Sequence, residues 1–230
     1  MEYALLIGVI VFLAGMFVTG YASGVIRILL SFIATIVAFL LALILAGPFS
    51  TFVKESTPIY DGVKKQMTEY VSEYISDEMD SSSETIQKDA IKDLKLPSSI
   101  KDKLVESYTA DVKLEMAVDT FSEYLAASLA DILVEAISVL ILFIVIKLIL
   151  RIIISLLNII SRLPIINGVN KTLGGFLGLA EGVLILWIMC IALTAFSGTN
   201  VGEQLLSAIS SNEILNYIYS NNLVMKFLMK

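Results

Sequence analysis

Hydrophobic positions along this chain come in unbroken blocks rather than in a one-sided stripe. The first block runs from Tyr3 to about Phe17 and reaches Thr19 before Gly20. The second runs from about Val25 to Ala46 and ends at Gly47-Pro48. A third starts near Ile132 and continues to about Leu157, interrupted by Lys147 and Arg151; a fourth runs from about Leu173 to Phe196. A helix needs about 20 mostly apolar residues to cross the hydrocarbon core of a bilayer, and a helix apolar all round has lipid or protein on every side. The pattern therefore predicts four transmembrane helices. They fall into two pairs, each joined by a short turn: Gly20-Tyr-Ala-Ser-Gly24 in the first, and a stretch marked by Arg162, Pro164, Gly168 and Lys171 in the second.

Between the pairs the pattern changes. From Pro58, the residues Ile59, Val63, Tyr70 and Tyr74 recur at helical spacing, giving an amphipathic stripe. Asp80-Ser-Ser-Ser-Glu84 reads as a break, followed by a short pattern of Ile86, Ala90 and Leu94. Pro97-Ser-Ser opens another helix, with Ser99 as its cap and Asp102 three residues on. The series Leu114, Val118, Phe121, Leu125, Leu129 and Ile132 then predicts one long helix running unbroken into the third span. In the tail 197–230, Asn and Ser alternate with Ile214, Tyr217, Ile218, Leu223 and Phe227, which suits one or two short interfacial helices.

Composition sharpens this picture. At 230 residues and 57% hydrophobic, the chain is too apolar for an ordinary soluble domain. Residues 47–131 hold 17 Asp/Glu against 9 Lys, while the rest of the chain is slightly basic. An acidic middle speaks against nucleic-acid binding, which needs a basic face for the phosphates. There is no histidine, and Cys190 is the one cysteine. Disulfides, Cys/His zinc sites and histidine-based catalysis are thereby excluded, and the chain is expected to be no enzyme and to carry no cofactor. Glu2 precedes the first block and no Lys or Arg occurs before Arg27, so that block is read as a retained span rather than a signal peptide.

Charge in the short loops predicts orientation. The stretch 147–171 holds Lys147, Arg151, Arg162 and Lys171 with no acid, and the first turn holds Arg27 with no acid. Positive loops stay in the cytoplasm. Both turns are then cytoplasmic, and the acidic segment and both termini lie outside.

Two features carry candidate chemistry. Gly174, Gly178 and Gly182 lie four apart on one face of the fourth span, with Gly175 widening it. Ala34, Ala38, Ala42 and Ala46 repeat the spacing on the second span, as do Gly20 and Gly24 at the first turn. Small faces of this kind let helix backbones approach closely. Packing within one chain, an oligomer contact and a smooth pore wall all fit the spacing. The second feature is Glu181, deep in the fourth span, with Lys147 and Arg151 at comparable depth on the third. An intramembrane carboxylate is costly and needs a partner, so an ion pair of Glu181 with one of the two is expected, as packing or as part of an ion path.

Other motifs are weaker. Asp77, Glu78, Asp80 and Glu84 cluster but lack the spacing of a calcium loop and read as a solvated acidic surface. Asn170-Lys-Thr172 is a glycosylation sequon placed on the cytoplasmic side, hence unused, and Cys190 reads as a small apolar packing residue.

The stretch Leu163-Pro164-Ile-Ile-Asn-Gly-Val-Asn170-Lys-Thr-Leu-Gly174-Gly-Phe-Leu-Gly178-Leu-Ala-Glu-Gly182 resembles the second hairpin of the bacterial colicin V production protein family. There a Pro, an Asn and glycines four apart lead into the last span. Gly24-Val-Ile-Arg27 with Ser31 is similar to that family's first hairpin. The resemblance implies a multi-pass plasma-membrane protein needed for production or export of a secreted peptide toxin, or for envelope homeostasis more broadly. It carries no agreed catalytic residues.

Taken together, the sequence predicts an all-α integral membrane protein: four transmembrane helices in two hairpins with a helical extracytoplasmic insert. Its parts are a first hairpin (1–47), an acidic helical segment (48–130), a second hairpin (131–196) and a short helical tail (197–230). The expected partners are the lipid bilayer, further copies of the chain, and a secretion or envelope protein meeting the acidic segment. The alternative function is a small oligomeric channel or transporter using the glycine face and Glu181.

Overall fold

The computed structural model describes residues 2–75, 82–94, 96–108, 116, 118, 120–156 and 169–228, and all regular structure among them is helical. The helices are α1 (Glu2–Ser23), α2 (Val25–Ser56), α3 (Ile59–Tyr74), α4 (Glu84–Asp93), α5 (Ser98–Ser107), α6 (Phe121–Leu156), α7 (Val169–Ala195), α8 (Asn200–Ser210), α9 (Glu213–Ser220) and α10 (Leu223–Leu228), with a 3₁₀ turn at Phe196–Gly198. Four of them, α1, α2, α6 and α7, are long and apolar enough to cross a membrane.

The ends of these helices differ from the sequence reading in instructive ways. α1 does not stop before Gly20 but runs to Ser23, so the turn to α2 is a single residue. A glycine weakens a helix interior by about 1 kcal/mol relative to alanine without ending it. The break falls at Gly24, whose φ of +76° is the left-handed conformation that only glycine adopts freely. α2 likewise passes through Pro48 and continues to Ser56. The missing N–H forfeits one helical hydrogen bond. The last turns are held from outside, because Val53 is buried and the Lys54 ammonium pairs with Asp131 at 2.7 Å and lies over the Tyr60 ring.

α6 starts at Phe121, not at Leu114: residue 118 is outside any helix, and Leu114 lies outside the described residues. The Thr120 hydroxyl accepts the Glu123 N–H at 3.1 Å, a side-chain cap that fixes the first turn where apolar spacing alone would extend it. At 32 and 36 residues, α2 and α6 are longer than a bilayer core requires.

The chain divides into two compact units. One holds residues 48–137 and 192–206. Its core gathers Met67 and Val71 of α3, Ile91 of α4, Ile100 and Leu104 of α5, and Phe121, Tyr124, Leu125 and Leu129 of α6. Buried Tyr108 has its ring tilted against Tyr124 at 4.8 Å and edge to face with Phe121 at 5.2 Å, and it donates its hydroxyl to the buried Gln87 amide oxygen. α4 turns Gln87 and Ile91 inward; of the Ile86–Ala90–Leu94 pattern, Leu94 is buried and Ala90 packs against the core, while Ile86 is exposed. Val63, Tyr70 and Tyr74 pack at the core edge as the stripe predicts, but Ile59 is exposed. Pro97, not Ser99, occupies the cap position of α5, and no side chain bonds that end. The break at 80–84 and the acidic cluster fall largely on residues 76–81, outside the described residues.

The other unit holds residues 1–47, 138–191 and 207–230. Ala38, Phe39 and Ala42 of α2, Phe143 of α6 and Ile188 of α7 form its core, with the Phe39 and Phe143 rings edge to face at 6.4 Å. α1 leaves Ile7, Ile10, Val11 and Val18 exposed, an apolar face that a bilayer would cover. The tail folds as short helices: Asn212 caps α9 by accepting two backbone N–H groups. Trp187 of α7 donates its indole N–H to the Ile218 carbonyl, and the buried Asn222 amide donates to the Trp187 carbonyl. Ile214, Tyr217 and Leu223 point outward.

Candidate functional site

Glycines bring α1 and α7 together. Gly20 and Gly174 lie so close that a Cβ on Gly20 would collide with the Gly174 carbonyl oxygen, and a Cβ on Gly178 would collide with that of Met16. Gly182 lies over Leu13 and Met16, and Gly175 over the Phe17 ring. The small face of α7 is thus filled by α1 of the same chain. At the turn, the Asn170 side-chain oxygen accepts the Val25 N–H at 3.1 Å, and its amide nitrogen stands 2.7 Å from where a Gly24 Cβ would be. The sequon asparagine is therefore engaged in clamping the start of α2. The alanine row is used differently: Ala38, Ala42 and Ala46 are fully buried, and Ala34 is half-buried.

Inside this packing lies Glu181. It is 1% exposed and about 18 Å along α7 from Val169. Its Oε1 accepts three bonds: from Ser31 Oγ at 2.9 Å, from Thr35 Oγ1 at 2.8 Å and from Lys147 Nζ at 3.2 Å. Oε2 is buried with no partner among the described residues. Lys147 keeps 27% of its side chain exposed, and its ammonium lies 5.8 Å from the Phe143 ring centre. Of the two expected partners, the structure selects Lys147; Arg151 is exposed one turn further along α6, and Arg27 is exposed on α2.

The two hydroxyls were missed by the sequence reading of the site. Ser31 enters the sequence pattern only through the family resemblance, and Thr35 does not enter it. Their signal was available: two hydroxyl residues four apart in an otherwise apolar run place both on one helix face. Cys190 is half-buried, and no group of three or more His, Cys, Asp or Glu able to hold a metal occurs among the described residues.

Four apolar helices long enough to span a bilayer, with a carboxylate neutralised by lysine and hydroxyls at their centre, define a helical integral membrane protein. Residues 114–219 match the family model described as colicin V production protein, the family that the second hairpin's residues resemble. The match takes in α6, α7 and the start of the tail, somewhat under half of the chain. No match was found among curated proteins or solved structures.

Proposed function

We propose that this protein is a non-enzymatic component of a bacterial plasma membrane that assists production or export of a secreted peptide toxin, or maintains the envelope on which export depends. The match of 114–219 to the colicin V production family carries this reading. In it, the basic turns around Arg27 and Lys171 face the cytoplasm, and the acidic segment 48–130 and both termini face outward. The acidic segment then serves as the surface that meets a secretion or envelope partner. The channel reading is the less favoured one, because the glycine face it would use is covered by α1. Comparing the secreted proteins of cells with and without the gene tests the proposal. Loss of a secreted peptide, restored by the wild-type chain, supports it; an unchanged profile contradicts it.

A further inference from the structure

Glu181 is more than half of an ion pair. A structural pair would be expected to use both carboxylate oxygens, since each buried oxygen left without a partner is costly. Here every donor converges on Oε1, and Oε2 is buried and unpartnered among the described residues. The lysine is also unusual for a locked pair: at 3.2 Å it makes the longest of the three contacts, and its stem and head are partly exposed while Glu181 is not. The groups that stay with the carboxylate are the two α2 hydroxyls, which donate to an ionised carboxylate and to a neutral carbonyl oxygen alike.

We propose that Glu181 is a proton-binding site within the membrane, in which protonation at Oε2 alternates with the ion pair to Lys147. In the ion-paired state the carboxylate is ionised, Lys147 is its counter-charge and the pair is neutral. A proton taken from water forms an O–H bond at Oε2, and the pair then carries one positive charge. Ser31 and Thr35 keep hold of Oε1 in both states, and the Lys147 ammonium is released from its counter-charge. Loss of the proton reverses each step.

No other titratable group faces the site among the described residues. α2 offers only Ser31 and Thr35, α6 offers Lys147, with Arg151 exposed one turn further along, and where α1 meets α7 beside Glu181 it presents Leu13 and Met16. This inference goes beyond the export role and stands or falls independently of it.

The test is labelling by a hydrophobic carbodiimide, which attacks protonated carboxyls within membranes. Full-length protein in phospholipid vesicles is treated at a series of pH values, and the adduct on the peptide containing Glu181 is measured by mass spectrometry, with Glu181→Gln as the assignment control. The adduct should grow as pH falls, by about tenfold per pH unit on the alkaline side of the midpoint, as for any single proton site. Lys147→Met, which removes the counter-charge, should raise labelling at alkaline pH. Infrared difference spectra between acid and alkaline pH give a second reading from the wild-type chain alone. A protonated-carboxyl band should appear at acid pH and be absent in Glu181→Gln. Labelling that is absent or constant with pH in the wild type, or no infrared band that Glu181→Gln removes, overturns the proposal.

Discussion

Replacing the interface glycines by alanine one at a time separates backbone contact from side-chain contact. In a helix interior, alanine is favoured over glycine by about 1 kcal/mol, so each substitution starts with a gain. What the new methyl meets decides the outcome. At Gly20 and Gly178 it meets a backbone carbonyl oxygen on the opposing helix, inside van der Waals contact. A carbonyl in a helix cannot turn aside, so α1 and α7 must separate along the seam, and overpacking of this kind costs about 1–3 kcal/mol. At Gly182 the nearest atoms are Leu13 Cδ2 and Met16 Cγ at 3.1 Å, on side chains that can shift by a few tenths of an ångström. At Gly8 nothing lies within 4 Å.

The expected order of stability is therefore Gly8→Ala above Gly182→Ala, with Gly178→Ala and Gly20→Ala lowest. Because the gain is common to all four, the clash alone sets the span, about 1–3 kcal/mol from top to bottom. For a chain of this size that is a difference of about 2–12 °C in the midpoint of loss of folded protein. Heating detergent-solubilised protein and measuring the monodisperse fraction by size-exclusion chromatography reads it directly. If Gly178→Ala survives heating as well as Gly8→Ala, the α1–α7 backbone contact is not what joins these helices.

Further expectations concern the polar sites and the soluble core. Thr35→Val should lower thermal stability by about 1 kcal/mol through loss of one bond to Glu181, and Lys147→Met by more, toward the low end of the about 3–5 kcal/mol seen when a buried pair loses one member, because Lys147 is partly exposed. The comparison uses the same heating assay, and equal stability of the two variants would count against an ion pair. Tyr108→Phe should destabilise the unit built on α3–α6 by about 1–3 kcal/mol through its lost bond to Gln87, seen as earlier proteolysis in the 48–137 region; unchanged proteolysis would refute it. The Tyr60 phenol is pushed up to about 12, first by burial and then by the negative charge of Asp131. Its neutral form is the one the fold favours, so this contribution to stability is complete below about pH 10 and is lost as pH rises through about 12. Ultraviolet titration of tyrosinate should show a late step that Tyr60→Phe removes.

The number of long apolar helices was legible because lipid demands long apolar runs, and such runs stand out in any window. Helix ends were less legible. Gly20 and Pro48 look like breakers in one dimension, yet both lie inside helices, one because its missing side chain admits α7 and the other because Lys54 and Val53 anchor the turns beyond it. The beginning of α6 was set by the Thr120 hydroxyl against an apolar spacing that pointed further back. At the site, Glu181 and Lys147 announced themselves as charges in apolar blocks. Choosing Lys147 over Arg151 needed the depth at which α6 packs against α7, because the two residues, four apart, share one helix face. Ser31 and Thr35 were quiet for a related reason: hydroxyls are common in membrane helices, where they can bond to their own backbone, as Thr35 does to the Ser31 carbonyl.

The most direct test of the membrane architecture is the side on which each part of the chain lies. In a Cys190→Ser background, single cysteines are placed at the exposed Ser83 of the acidic segment and at Ser161, between α6 and α7 in the chain. Intact cells are then treated with an impermeant thiol reagent. The account predicts labelling of the cysteine at 83 in intact cells and of the one at 161 only after the membrane is opened. Labelling at 161 but not at 83 would reverse the orientation, and labelling of both in intact cells would contradict a third span between them.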